Sequence, residues 1–277
     1  MNAINDFRSS HVTKHIFVNG IEWEYIVSGK GASTILLLPG ALSTAESMFH
    51  IIKALEKKYR VITPSYNLSQ TMIGLCEGIE RILSEELADE VHIIGSSYGG
   101  LVAQYFVRKF PDKVKNIVLA HSFIIKQGLE RILRIASKLV QIAPKNLLKV
   151  LLKLKVKKHL INKLKSTNHI EKEFWWVYYS KAIDSGFLIN VLIHQNKTLL
   201  ECTMLPTFNQ NDLQNWHGKV LIIESENDRV VSKKDRNNLK SIYPNGEVYT
   251  FKDAGHMSFI TKRETIIKII NIFLNRL

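Results

Sequence analysis

One five-residue segment has the pattern of a catalytic nucleophile. The segment Gly95-Ser96-Ser97-Tyr98-Gly99 directly follows the apolar run Val91–Ile94 and precedes a helix-like run from Leu101 to Phe110. A strand, a sharp turn and a helix in this order are what a G-x-S-x-G nucleophile elbow requires, because the glycines permit the tight turn that exposes the serine hydroxyl. The pattern predicts that Ser97 attacks a substrate carbonyl, and a plain glycine-rich turn is the alternative.

A serine hydroxyl is a poor nucleophile at neutral pH and needs a base beside it. Among ten histidines, His256 follows the last predicted strand, Glu247–Phe251, and so lies at the carboxyl end of the sheet. His92 lies inside the strand before the nucleophile and is interpreted as structural. His121 ends the next strand, where it would line the pocket or anchor a cap. We therefore assign the role of base to His256.

The base needs a carboxylate that fixes its tautomer. Asp228 comes shortly after the predicted strand Val220–Glu224, again at the carboxyl edge. Its competitors are Glu224, Glu226 and Asp253. The order nucleophile, acid, base along the chain is the order of Ser, Asp and His in one large class of hydrolases, and it favours Asp228.

The fourth part of such a site is an oxyanion hole. The run from Leu36 to Ala41 ends a predicted strand in a Pro-Gly turn. The backbone N–H of Ala41 is expected to join that of Tyr98 in stabilising the negative oxygen of a tetrahedral intermediate. Leu42 is the alternative donor.

The elements that position these residues alternate along the chain. Short β-branched runs are separated by helix-length segments, at Thr34–Leu38, Val61–Thr63, Val91–Gly95, Val114–Ala120 and Val220–Glu224. This alternation predicts a mostly parallel sheet with helices on both faces. Two earlier runs meet at Asn19-Gly20, a dipeptide suited to a hairpin turn, so the sheet is expected to open with antiparallel strands.

The strand pattern stops after His121 and resumes near Lys219. The sequence therefore predicts a core of residues 1–121 and 217–277 with a helical cap inserted at 122–216. The aromatic residues Trp175 and Trp176 of this insertion either pack the cap or line its pocket.

The predicted cap is basic, with 15 Lys and Arg against 6 Asp and Glu. Residues 126–165 alone hold twelve basic residues and a single acid, Glu130. Apolar faces run along this stretch at helical spacing, one through Leu133 and Val140 and one through Leu147 and Leu154. The sequence favours a solvated face. The alternatives are a weak contact with an anionic membrane surface and the guidance of an acyl or anionic substrate.

Composition excludes several other classes of protein. The chain has 277 residues, 45% hydrophobic, and two cysteines, Cys76 and Cys202, which indicates a globular fold without a disulfide framework. No signal-like or membrane-spanning run is apparent, so a cytoplasmic protein is expected. No cofactor and no metal are expected, because ligand spacing and phosphate-binding glycine motifs are missing. Nucleic-acid binding is not expected, and the oligomeric state cannot be read.

The motifs together resemble the α/β-hydrolase superfamily over about residues 30–121 and 217–277. They are the LLLPGA turn, the GSSYGG elbow, the NDRVV acid loop and the DAGHM histidine loop. Residues 63–66 and 71–100 are also similar to the maspardin-like branch, whose animal member is regarded as lacking the serine nucleophile that is present here. The resemblance implies an α/β-hydrolase fold, with a twisted sheet and an inserted helical cap.

The predicted activity is hydrolysis of a small-molecule carboxylic ester or thioester through an acyl-enzyme, of the carboxylesterase, lipase or thioesterase kind. Two alternatives use the same fold. One is a non-hydrolytic lyase with the same three residues, and the other is a binding protein without turnover.

Overall fold

The chain is built around one eight-stranded sheet. A computed structural model describes residues 2–66, 71–126, 128–164 and 169–276. The strands are β1 (Thr13–Val18), β2 (Ile21–Ser28), β3 (Thr34–Leu38), β4 (Arg60–Ser65), β5 (Val91–Ser96), β6 (Val114–Ala120), β7 (Lys219–Ser225) and β8 (Glu247–Phe251). Their order across the sheet is β1-β2-β4-β3-β5-β6-β7-β8. The pairs β1–β2 and β2–β4 are antiparallel, and the other neighbours pair parallel. The predicted mostly parallel sheet with an antiparallel start is confirmed.

Helices cover both faces of this sheet. They are α1 (Asn2–Ser10), α2 (Phe49–Leu55), α3 (Met72–Glu85), α4 (Tyr98–Lys109), α5 (Glu130–Ile142), α6 (Lys145–His159), α7 (His169–Asp184), α8 (Phe187–Cys202), α9 (Lys233–Ile242), α10 (Ser258–Thr261) and α11 (Arg263–Asn275). Strand β3 shows how the layers form. On one face, Ile35 and Leu37 belong to a hydrophobic cluster with residues of α2 and α11. On the other face, Leu36 and Leu38 belong to a cluster with residues of α3 and α4. A strand buried on both faces explains the unbroken apolar run in the sequence.

The first helix was not predicted from the polar start of the chain. In the structure α1 buries Ile4 and Phe7, and the Phe7 ring lies 5.8 Å from that of Phe49 on α2. Two apolar residues three positions apart, in a short polar segment, were not enough to predict a helix.

The segment between β6 and β7 contains α5, α6, α7 and α8, and no strand among the residues described there. We call these four helices the cap. After α8 the chain runs along the core: the Phe208 ring lies 4.5 Å from that of Tyr105, and Trp216 Nε1 donates a hydrogen bond to the carbonyl of Val114. Lys165, the end of the basic stretch, lies outside the described residues.

Within the described part of the chain, no helix is both long enough and apolar enough to cross a membrane.

Candidate active site

The serine at the turn between β5 and α4 has an unusual backbone. Ser97 has φ 52° and ψ −113°, a positive φ that costs a non-glycine residue about 1–3 kcal/mol. Glycines make the turn possible, since a Cβ at Gly95 would lie 2.5 Å from the carbonyl oxygen of Gly99, and a Cβ at Gly99 would lie 2.2 Å from that of Leu38. The turn holds Ser97 at the carboxyl edge of the sheet, where it lines a cavity.

Two loops bring a histidine and an aspartate to this serine. His256 follows β8 and Asp228 follows β7. His256 Nε2 lies 2.9 Å from Ser97 Oγ, and His256 Nδ1 lies 2.9 Å from Asp228 Oδ2. An ionised carboxylate only accepts hydrogen bonds, so Nδ1 carries the proton and Nε2 accepts the hydroxyl of Ser97. The structure thus brings the three predicted side chains into one hydrogen-bonded chain.

The environment of Asp228 keeps its carboxylate ionised. Burial acts to raise its pKa, but hydrogen bonds from His121 and His256 outweigh burial and hold the pKa well below its ordinary value. The second oxygen, Oδ1, accepts the backbone N–H of Val230 at 2.8 Å and of Val231 at 3.0 Å. Four donors therefore fix this side chain.

The competing acids have other partners. Glu224 accepts hydrogen bonds from Lys240 at 2.9 Å and Thr250 at 3.1 Å. Asp253 forms an ion pair with Lys262 at 3.0 Å. Glu226 is exposed. The geometry favours Asp228 over all three.

A second imidazole contacts the same carboxylate oxygen. His121 was expected at the pocket wall or beneath the cap, but it is buried and does not line the cavity. Its Nδ1 lies 3.1 Å from Asp228 Oδ2, and its Nε2 lies 2.5 Å from Ser258 Oγ. Burial lowers the pKa of His121, so the ring is neutral, donates to Asp228 and accepts the hydroxyl of Ser258. Sequence reasoning missed this link, because no motif relates β6 to α10.

The predicted oxyanion donors come from two different elements of the fold. Ala41 follows β3 and lines the cavity with Ser97. Tyr98 is the first residue of α4, where a backbone N–H has no intrahelical acceptor. Among the described residues neither N–H is hydrogen-bonded, whereas the N–H of Leu42 donates to Gln195 Oε1 of α8 at 3.1 Å. The geometry therefore favours Ala41 over Leu42 as the second donor.

A cavity of about 170 Å³ opens over Ser97 and His256. Its wall comes from the core and from two cap helices; the cap residues are Leu152, Lys155, Val156, His159, Leu160, Trp175 and Tyr179. Leu42 and Trp175 line the cavity, and Trp176 does not. Neighbouring residues on a helix point about 100° apart, so Trp175 and Trp176 cannot both face the same space.

Among the described residues that line the cavity, one lysine, Lys155, is accompanied by histidines whose protonation decides the local charge. Burial, with Arg263 and Lys53 nearby, lowers the pKa of His50 to about 4. Burial and the neighbouring Lys158 also lower the pKa of His159. Both imidazoles are therefore neutral at neutral pH, and Lys155 supplies the positive charge.

One group of side chains among the described residues has the spacing of metal ligands. Ligand atoms of His121, Asp228 and His256 lie within 4.8 Å of one another. The same atoms form the hydrogen bonds given above, which a metal ion would have to displace. The arrangement therefore fits proton transfer.

Comparison with known proteins supports the fold described above. A sequence model of the alpha/beta hydrolase fold matches residues 33–263. Maspardin of Danio rerio is 34% identical over 128 residues, which are 43% of this chain and 41% of maspardin. The match thus spans less than half the length of that curated relative.

Two further proteins match along nearly the whole chain. The 2-hydroxy-6-oxo-2,4-heptadienoate hydrolase of Pseudomonas putida is 21% identical over 283 residues, covering 96% of this chain and 97% of that enzyme. The structure of the 2-hydroxy-6-oxo-6-phenylhexa-2,4-dienoate hydrolase of Rhodococcus sp. strain RHA1 superposes with a TM-score of 0.74 at 16% identity, covering 96% of this chain and 99% of that one. These matches confirm the expected fold.

Proposed function

The chain belongs to the alpha/beta hydrolase fold family, and we propose that it hydrolyses a carboxylic ester or thioester through an acyl-enzyme. The observation that carries the proposal is the hydrogen-bonded chain from Ser97 Oγ through His256 to Asp228, at the wall of a cavity. A serine activated in this way is the usual nucleophile of acyl transfer.

In the proposed reaction, Ser97 Oγ attacks the acyl carbon while its proton moves to His256 Nε2. The carbonyl oxygen becomes an oxyanion that accepts the N–H groups of Ala41 and Tyr98. Collapse of this intermediate breaks the bond to the alcohol or thiol, which leaves with the proton from His256. Water then attacks the acyl-enzyme with His256 as base, and the carboxylic acid is released.

The cavity supports an acyl substrate of modest size. Apolar side chains form most of its wall, with Leu152, Val156 and Trp175 from the cap and Met257 and Phe259 from the core. Its volume of about 170 Å³ is below the roughly 300–1,000 Å³ of sites for drug-sized ligands. Lys155 at the wall favours a substrate with an anionic group.

The test is hydrolysis of p-nitrophenyl esters over a series of acyl lengths. We expect the wild-type protein to prefer short to medium acyl groups and Ser97→Ala to lose the activity by several orders of magnitude. Ser241→Ala, which changes a serine of α9 outside the cavity, is the matched control. Equal rates for wild type and Ser97→Ala would contradict the proposal and favour a lyase or a binding protein.

A second candidate is hydrolysis of a 2-hydroxy-6-oxo-dienoate. Both matches along nearly the whole chain are named as hydrolases of such compounds, and Lys155 at the cavity wall would suit their carboxylate. Turnover of a dienoate of this type by wild type, together with inert p-nitrophenyl esters, would favour this second candidate.

A further inference from the structure

Helix α5 of the cap presents an apolar face to solvent. Ile132, Ile135, Leu139 and Ile142 recur at helical spacing, and each is at least half exposed, up to 77% for Ile142. The opposite side of α5, which includes the buried Ser137, faces the protein, where α5 packs against α8. The most apolar residues of α5 are therefore on the outside.

Helix α6 repeats this arrangement after a link of only two residues, Ala143 and Pro144. Its exposed residues Leu147, Val150, Leu151 and Leu154 are 50–57% accessible. Its buried residues are Leu148 and Leu152 on another side. We call the eight exposed apolar residues of α5 and α6 the cap face. The two exposed faces follow each other closely along the chain, and exposed apolar patches on a globular domain usually mark a site of protein or membrane contact.

Basic side chains border the cap face. On a helical wheel, Arg131 and Lys138 lie along one edge of the exposed side of α5, and Lys155 and Lys157 lie at the two edges of that of α6. Among the described residues, none of these four has a carboxylate partner within the 4.0 Å limit of an ion pair. By contrast, Lys153 of α6 donates to the carboxylate of Asp184 at 2.8 Å, and Lys149 donates to the backbone carbonyl of the same residue at 2.8 Å.

We propose that the cap face binds the surface of an anionic lipid bilayer, with α5 and α6 lying in the interface. An apolar stripe flanked by Lys and Arg is the composition of interfacial helices, whose apolar side enters the bilayer while the cations meet acidic headgroups. A second copy of the chain fits less well, because it would bring two basic borders together. An anionic surface complements both parts of the cap face.

Docking in this way would place the bilayer next to the candidate site. Helix α6 also supplies Leu152, Lys155 and Val156 to the cavity wall, and of these three side chains Lys155 is exposed. The idea that an acyl substrate from the membrane enters that cavity rests on the proposed function. Binding to the bilayer does not depend on it, so Ser97→Ala is expected to bind vesicles as the wild type does.

The test is co-sedimentation of the full chain with phosphatidylcholine vesicles, with and without phosphatidylserine, at low and high salt. We expect binding only to phosphatidylserine vesicles and weaker binding at high salt. Lys138→Gln with Lys157→Gln should lower the affinity by roughly tenfold or more, and Leu139→Gln with Leu151→Gln by at least about tenfold.

Matched controls separate the cap face from general effects. Lys57→Gln with Lys252→Gln removes the same charge from the core, and Val12→Gln with Leu87→Gln removes exposed apolar residues there. Both controls should bind as wild type does. Far-UV circular dichroism shows that each variant is folded.

Three results would overturn the proposal. In the first, the wild-type protein does not bind phosphatidylserine vesicles at low salt. In the second, the cap-face variants bind these vesicles as well as the wild type does. In the third, the wild type is a dimer that does not bind vesicles, and Leu139→Gln with Leu151→Gln dissociates the dimer. The last result would assign the cap face to a second copy of the chain.

Discussion

At the scale of single residues, the site depends on one carboxylate oxygen that serves two imidazoles. Asp228 Oδ2 accepts from His256 at 2.9 Å and from His121 at 3.1 Å. The order of motifs along the chain predicted Ser97, Asp228 and His256, which the structure joins by hydrogen bonds. It was not sufficient to find the second role of His121, because that contact depends on how the end of β6 lies against β7 and α10.

Removing the charge of Asp228 should reduce turnover more than binding. In Asp228→Asn, an amide N–H can face His256 Nδ1, which places the imidazole proton on Nε2 and prevents it from accepting the proton of Ser97. By the precedent of serine proteases, kcat should fall roughly 10⁴-fold, with KM nearly unchanged. Steady-state kinetics with the best p-nitrophenyl ester measures both, and Glu226→Gln is the neighbouring control. A loss of less than about tenfold in kcat would mean that Asp228 does not orient the base.

The neutral, buried His121 should make the fold sensitive to acid. Burial lowers the pKa of His121 in the folded state, while the unfolded chain has the ordinary value of about 6.5. As the pH falls below about 6.5, the unfolded state therefore binds more protons than the folded state. The free energy of unfolding becomes smaller as the pH is lowered through that window. Above about pH 6.5 this contribution to stability is fully present.

Urea unfolding at about pH 5 and pH 7 tests this account of His121. Asn tolerates the positive φ of 51° at this position and does not titrate, so His121→Asn should show a smaller loss of stability on acidification than the wild type. His169→Asn, at an exposed site on α7, is the control. If His121→Asn lost as much unfolding free energy between pH 7 and pH 5 as the wild type does, the expected role of burial would be contradicted.

At the scale of elements, strands were easier to predict than the faces of helices. A parallel strand buried on both sides appears in the sequence as a short continuous apolar run, as in β3 and β6. Helix α6 has leucines on two sides, so periodicity alone could not show that Leu148 and Leu152 are buried while Leu147 and Leu151 are exposed. That choice depends on packing against α7, which the sequence does not state.

Helix α7 should limit the length of the acyl group that the cavity accepts. Trp175 is buried and lines the cavity, whereas Trp176, the next residue, does not. Trp175→Leu enlarges the cavity and should move the preferred p-nitrophenyl ester to longer acyl chains, and Trp176→Leu should leave the preference unchanged. The ratio of kcat/KM between long and short esters is the measurement. The same shift in both variants, or in neither, would mean that Trp175 does not limit the acyl site.

At the scale of the whole molecule, the parallel sheet assembles a site from distant parts of the chain. Ala41, Ser97, His121, Asp228 and His256 each follow a different strand, and the carboxyl ends of parallel strands lie at one edge. The sequence therefore predicted the edge of the sheet at which the candidate site lies. It could not predict the shape of the cavity, because cap side chains such as Leu152 and Trp175 complete the wall.

The central claim is that Ser97 is a nucleophile activated by His256. The most direct measurement is the intact mass, with peptide mapping, of the protein after treatment with a fluorophosphonate, which phosphonylates activated serines with loss of fluoride. We predict one adduct, located on Ser97, that is absent in Ser97→Ala and forms far more slowly in His256→Ala. A folded wild-type protein that forms no adduct, or forms it on another serine, would contradict the account.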